Sequence, residues 1–207
     1  MAELLLELYS EEIPPKLQIG ARNQLNFFFK EYFATENVKY KELSIYSSPT
    51  RLTLVVKDLV EKIKIEPKEI KGPKVGSPEK ILQGFMKAKN VSQKDLVEKE
   101  TKKGKFYFIK TDPKNILIEE LLISMLPKAL AAISWKKSMK WSDHNLMWGR
   151  PLRSIFALFN GKKITFQFGH LESSDEIIVE QDLLSKNKKV KNYKEYIDFL
   201  KSSNILI

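Results

Sequence analysis

The 207 residues are 43% apolar and 30% charged, enough to bury a sizeable core as one large domain or two small ones. Cysteine is absent, which excludes disulfides, thiolate metal sites and a thiol nucleophile. No apolar run approaches the roughly 20 residues of a membrane span, and Glu3, Glu7, Glu11 and Glu12 interrupt the opening in a way no signal peptide tolerates, so the expected compartment is the cytoplasm and no membrane is expected as a partner. The 36 basic residues against 26 acidic ones leave a formal charge of +10, a field that favours polyanionic partners and nucleic acid first.

Ala2–Tyr9 is an apolar run suited to a buried strand, and Pro14-Pro15 then opens a helix, where a missing N–H costs nothing. Leu17, Ala21, Leu25, Phe28, Phe29 and Phe33 recur at helical spacing and carry it to about Ala34. Val38–Tyr46 and Arg51–Leu59 read as strands around the turn Ser47-Ser48-Pro49-Thr50. Arg51, at the edge of that turn, meets either a phosphate or, the stronger expectation, a carboxylate. Charge dominates Glu61–Lys74 and Gly72-Pro73 breaks it, which predicts an exposed connection and a sub-boundary near residues 60–76.

Ser77-Pro78-Glu79 starts a helix with Ile81, Leu82, Phe85 and Met86 on one face, and Ser92 starts a short one. A hairpin of Val97–Thr101 and Lys105–Lys110 follows, turning at Lys102-Lys103-Gly104, with Phe106, Tyr107 and Phe108 in its second strand. Asn115–Ile133 is the longest helical stretch, apolar almost all round, with Pro127 expected to kink or break it. Asn160-Gly161 between Leu152–Phe159 and Ile164–Phe168 is a strong hairpin signal. The pattern weakens after His170, until Asn192 and Glu195 cap a last helix running to Ser202. The chain closes on Ile205-Leu206-Ile207, an apolar end with no evident partner, as expected of a piece cut from a longer polypeptide.

Ser134–Lys163 is the stretch around which the chain is organised. It holds Trp135, Trp141 and Trp148 among basic residues, either as a core edge under snorkelling cations or as an aromatic-basic nucleic-acid surface. Catalytic patterns are missing. His144 and His170 stand 26 positions apart, in no zinc-binding spacing, and there is no Gly-x-Ser-x-Gly elbow, P-loop or Gly-x-Gly-x-x-Gly. Glu11 and Glu12 read first as charges at a helix start and only secondarily as an acid/base pair.

Four stretches, taken in order, resemble the amino-terminal part of the beta subunit of bacterial heterotetrameric glycyl-tRNA synthetase. They are Leu5–Ser10 running into Glu11-Glu12-Ile13-Pro14; the turn Ser48-Pro49-Thr50-Arg51-Leu52; Lys71-Gly72-Pro73 with Gly84-Phe85; and Lys137-Ser138-Met139-Lys140-Trp141-Ser142-Asp143, then Arg150-Pro151 and the strand to Gly161. Where the family has Gly-His-Arg after the final hairpin, this chain has Val179-Glu180-Gln181. The resemblance implies that residues 1–207 are the amino-terminal region of a longer subunit serving ATP-dependent attachment of glycine to tRNA. It implies a catalytic site, with ATP and magnesium, on an alpha subunit, no cofactor on this segment, and assembly with two alpha subunits and a second beta. It further implies a relation to the editing-type domain of the phenylalanyl enzyme's beta subunit.

The expected fold is α+β, with mixed or antiparallel sheets covered by helices on Pro15–Ala34 and Asn115–Ile133. Lys136, Lys137, Lys140, Arg150 and Arg153 are the expected nucleic-acid contacts, positioning phosphates rather than reading bases. The alternative for Arg150 and Arg153 is pairing with carboxylates. Two rival functions remain: a free-standing RNA-binding module stacking bases on Phe106, Tyr107, Trp141 and Trp148, and an editing-type hydrolase with Glu11 or Glu12 as base and His144 as acid.

Overall fold

The computed structural model describes residues 2–65, 69–101, 104–110, 114–140, 145–181 and 184–207. In chain order the elements are β1 (Ala2–Ser10), α1 (Pro15–Thr35), β2 (Glu42–Ser47), β3 (Arg51–Leu59), β4 (Lys62–Ile65), β5 (Glu69–Lys74), α2 (Glu79–Lys89), β6 (Leu96–Thr101), β7 (Gly104–Lys110), β8 (Lys114–Leu117), α3 (Ile118–Ala131), β9 (Leu152–Phe159), β10 (Lys162–Lys163), β11 (Gln167–Phe168), β12 (Leu171–Ser174), β13 (Glu176–Gln181), β14 (Leu184–Lys189) and α4 (Tyr193–Ser202). The fold class is α+β. Two compact units form, one from Met1–Ile63 with Leu117–Ile207 and one from Lys64–Ile116.

The first unit is built on a mixed sheet in the order β11-β12-β9-β1-β3-β2. β1 lies inside it, antiparallel to both β3 and β9, while β12 joins β9 in parallel. A strand covered on both faces reads as a nearly unbroken apolar run, which is why AELLLELY carries little alternation. Its residues nevertheless divide between two cores. Leu4, Leu6 and Leu8 join Leu52, Leu54, Val56, Ile155, Ala157 and Phe159 beneath α1 and α3. On the opposite face Leu5, Val55, Phe156 and Leu158 meet Ile177 and Val179 of β13 and Tyr196, Phe199 and Leu200 of α4.

The second face also holds charge. Glu7 and Arg51, each 1% exposed, form an ion pair of 2.7 Å between Glu7 Oε2 and Arg51 Nη1. Arg51 Nη2 donates to the carbonyl of Ile178 on β13, and the Arg51 guanidinium lies 4.6 Å from the ring centre of Tyr9. The Tyr196 hydroxyl on α4 donates to Glu7 Oε2 and lies 2.8 Å from Thr53 Oγ1. The sequence expectation that Arg51 meets a carboxylate holds.

Several boundaries differ from expectation. Glu61–Lys74 contains strands β4 and β5 instead of a plain connection. α3 begins at Ile118, because Lys114–Leu117 is a strand, so α1 with 21 residues is longer than α3 with 14. α3 runs on through Pro127 without a break. The short helix expected from Ser92 is a single 3-10 turn, Gln93–Asp95, closed by a Ser92–Asp95 capping box. After Asn160-Gly161, Lys162 and Lys163 pair back onto β9 and the Ile164 N–H donates to the Ala157 carbonyl, but Gln167–Phe168 turns away to pair with β12. β13 and β14 form a hairpin where no pattern was visible. α4 starts as expected, with the Asn192 side chain accepting from the Glu195 N–H, and Ile205 and Ile207 pack against the second core.

Burial, followed by the Glu7 charge and its hydrogen bond, pushes the Tyr196 hydroxyl well above its ordinary value near 10, and burial lifts Tyr193 to about 12. A group whose proton is held more tightly in the folded state stabilises the fold below its unfolded pKa and loses that contribution as pH rises above it. Stability should therefore fall as pH climbs past about 10. Tyr196→Phe should cost about 1.5–3 kcal/mol at neutral pH, the range for a hydrogen bond to a charged group, and should make the alkaline fall shallower. Urea unfolding between pH 7 and pH 11 checks both.

Candidate nucleic-acid interface

The segment from the end of α3 to β9 is fixed by side chains before it presents any charge. The Gln24 amide on α1 clamps Ser134 from both sides, with Nε2 donating to the Ser134 carbonyl at 3.0 Å and Oε1 accepting from its N–H at 2.7 Å. Trp135 and Trp148 meet edge to face with ring centres 5.0 Å apart, and Trp148 packs against Phe168 in the same manner at 5.5 Å. Trp148 is 2% exposed. Met139 and Trp148 exchange two backbone hydrogen bonds, of 2.9 and 3.3 Å, which tie the two ends of the segment together. These two tryptophans therefore form a core edge. Trp141, Ser142, Asp143 and His144 lie outside the described residues, and with them the stacking role expected of Trp141 and the acid role considered for His144.

Gly149 is required here by close approach. A Cβ at that position would sit 2.4 Å from the Trp135 ring, closer than any real contact. Gly149→Ala should therefore destabilise the protein by about 1–3 kcal/mol, the usual range for overpacking. A lower urea midpoint with a red-shifted tryptophan emission is the expected result.

The five expected contacts fare differently. Lys136 and Lys137 are exposed, and among the described residues no carboxylate pairs with either. Lys140 Nζ donates to Asn145 Oδ1 at 3.2 Å. Arg150 is half-buried, with Nε donating to the Glu12 carbonyl at 3.2 Å and Nη1 set 3.7 Å from Met139 Sδ. Arg153 binds Glu180 Oε2 at 2.6 Å and stands 3.5 Å from Glu11 Oε1. Of the two arginines, then, Arg153 is in a carboxylate pair and Arg150 is held by a carbonyl and a thioether. The Tyr9 hydroxyl donates to the same Glu180 carboxylate, and burial raises its pKa, with Glu180 adding to the shift.

Three stretches far apart in sequence meet beside this loop. The Ser10 and Ile13 N–H groups donate to the carbonyls of Thr50 and Pro49, and the Glu11 N–H donates to that of Pro151. Glu12, Ile13, Pro14, Pro15, Gln18, Pro49 and Arg150 line a groove of about 300 Å³ at this junction. Sequence reading picked out each stretch separately. It missed the groove, and the only available signal was that all three break a strand or helix with proline. Among the described residues no group of three or more histidines and carboxylates is placed to hold a metal ion. Among the described residues no helix is long and apolar enough to cross a membrane.

The sequence matches a family of aminoacyl-tRNA synthetase subunits. Residues 4–207 match the family described as glycyl-tRNA synthetase beta subunit, and the chain belongs to that family. It is 36% identical to the glycine–tRNA ligase beta subunit of Rickettsia akari (strain Hartford) over 209 residues, covering 100% of this chain and 31% of the relative. The corresponding protein of Rickettsia peacockii (strain Rustic) is also 36% identical, and that of Rickettsia bellii (strain OSU 85-389) is 33% identical, with the same coverage. The chain thus spans about a third of the length of the curated relatives it matches.

Proposed function

We propose that the chain is the amino-terminal region of a glycyl-tRNA synthetase beta subunit. It supports ATP-dependent attachment of glycine to tRNA by binding tRNA and by assembling with an alpha subunit that holds the adenylation site, ATP and magnesium. Assembly as two alpha and two beta subunits is part of this reading. The carrying observation is the family match over residues 4–207, together with a fixed loop that raises lysines into solvent. A glycine–tRNA ligase must hold a polyanion, and cations on a preorganised backbone do so without the cost of ordering the segment that carries them.

Within that reading the five cations divide by what already holds them. Lys136, Lys137 and Lys140 contact tRNA phosphates. Arg150 orients the groove beside them, and Arg153, shared between Glu180 and Glu11, fastens β13 to the sheet edge. Glu180 supplies that fastening carboxylate. Charge reversal at Lys137 and Lys140 together, in the assembled enzyme, should weaken tRNA binding and lower the log–log salt slope by about 1.4–1.8, at 0.7–0.9 per phosphate contact. Arg153→Gln should leave the slope unchanged and cost no more than about 1 kcal/mol of stability, as expected for a part-exposed pair. A double reversal with wild-type affinity and slope would remove the loop from the interface.

A further inference from the structure

The loop on the first unit leaves most of the chain's charge unused. Residues 64–116 hold fourteen lysines, no arginine and seven carboxylates, a net +7 (14 − 7) of the chain's +10. Lysine heads are compact, hydrated point charges that follow a phosphate chain without requiring bidentate geometry.

The strand register gathers part of that charge around aromatic rings. In the sheet β5-β7-β6, Lys71 stands opposite Phe108 and Lys74 opposite Phe106, while from the other side Val97 faces Phe108 and Lys99 faces Phe106. Side chains alternate across a sheet, so these residues share one face, with Phe106 and Phe108 roughly 7 Å apart along β7. Gly72 marks the opposite face. A Cβ there would come 2.7 Å from the Phe85 ring of α2, so the helix lies on the side that carries Ile70 and Ile109, and Ile109 is 3% exposed.

On the lysine-bearing face Lys71 Nζ lies 3.5 Å from the Phe106 ring centre. Lys99 Nζ lies 5.9 Å from that of Phe108 and pairs with Glu69 at 2.5 Å, while Val97 is 50% exposed. The Phe106 ring therefore carries a cation, Lys71, that a ligand can displace, while Lys99 near Phe108 is held by Glu69. An exposed ammonium over a ring amounts to about a two- to five-fold preference. A nucleobase stacked on the same ring amounts to about five-fold to over a hundred-fold. The base wins the ring, and the released ammonium stands beside the phosphate that the base brings.

We propose that this face binds unpaired RNA, with bases stacked on Phe106 and Phe108 and the phosphates held by Lys71 and Lys74. The proposal rests on the tRNA-binding reading and adds a single-strand site on a separate unit. The test uses the full 207-residue chain with a fluorescein-labelled 12-nucleotide oligoadenylate and a 12-base-pair RNA duplex, read by anisotropy. Phe106→Leu and Phe108→Leu keep apolar bulk but remove the ring. Each should weaken oligoadenylate binding about ten-fold and leave duplex binding unchanged. Lys71→Gln should lower the oligoadenylate salt slope by about 0.7.

Circular dichroism melts confirm that each variant folds. Should either leucine variant not fold, the other and Lys71→Gln decide the matter. Equal losses on duplex and single strand, or wild-type oligoadenylate binding by the leucine variants, overturn the proposal. So does loss of alpha-subunit binding by those variants with RNA binding intact. If reversal at Lys137 and Lys140 abolishes tRNA binding while the leucine variants change nothing, this site falls and the earlier reading stands. The converse result keeps the site and removes the loop.

Discussion

A carboxylate and a guanidinium face each other within a largely apolar layer, and the second face of the sheet is arranged around them. Withdrawing Glu7 and Arg51 from water costs several kcal/mol per ion, and their attraction offsets that only with good geometry and further hydrogen bonds. The geometry is partly complete. Arg51 reaches the Ile178 carbonyl and Glu7 accepts from Tyr196, yet Glu7 Oε1 and Arg51 Nε find no hydrogen-bond partner among the described residues. Such a pair adds little net stability over a packed hydrophobic replacement. Its contribution is position. Apolar burial alone is non-directional, whereas the contacts to Ile178 on β13 and Tyr196 on α4 are directional and fit one placement of each element.

That selection reaches the surface through short links. Arg51 opens β3 directly after Pro49-Thr50, whose carbonyls hold Ser10 and Ile13, while Pro151 holds Glu11. One residue beyond Val179 of the second core, Glu180 gathers Tyr9 and Arg153 at the same sheet end. The lysine-bearing loop is held independently, by Gln24 and the Trp135–Trp148 pair. The groove and the exposed cations are thus set by a rigid sheet end and a clamped segment.

Elements whose burial is nearly complete were legible. β1, α1 and β3 follow from apolar runs, helical periodicity and proline placement, because the two cores demand those patterns. Elements with one solvated face were not. In β5 the sequence Glu-Ile-Lys-Gly-Pro-Lys alternates only weakly, and β14 ends in Lys-Asn-Lys-Lys, so charge hid the strands. Asn115, Ile116 and Leu117 suit a strand as well as a helix, and pairing with β4 decides between them. At the site, the five cations could be named from their neighbours in sequence. Their fates could not, since Glu180 lies 27 residues from Arg153 and the Glu12 carbonyl 138 from Arg150. The tryptophans offered two readings, and burial of Trp148 settles the matter for that residue and its neighbour Trp135.

The claim that the buried pair locks the second layer in place is tested most directly by a double-mutant cycle at Glu7 and Arg51, read by urea unfolding of the 207-residue chain. Glu7→Gln and Arg51→Met should each cost about 3–5 kcal/mol, because each strands a buried polar or charged partner. The double variant should cost far less than their sum, leaving a coupling of about 2 kcal/mol or more. Single losses below about 1 kcal/mol, or losses that simply add, would contradict the account.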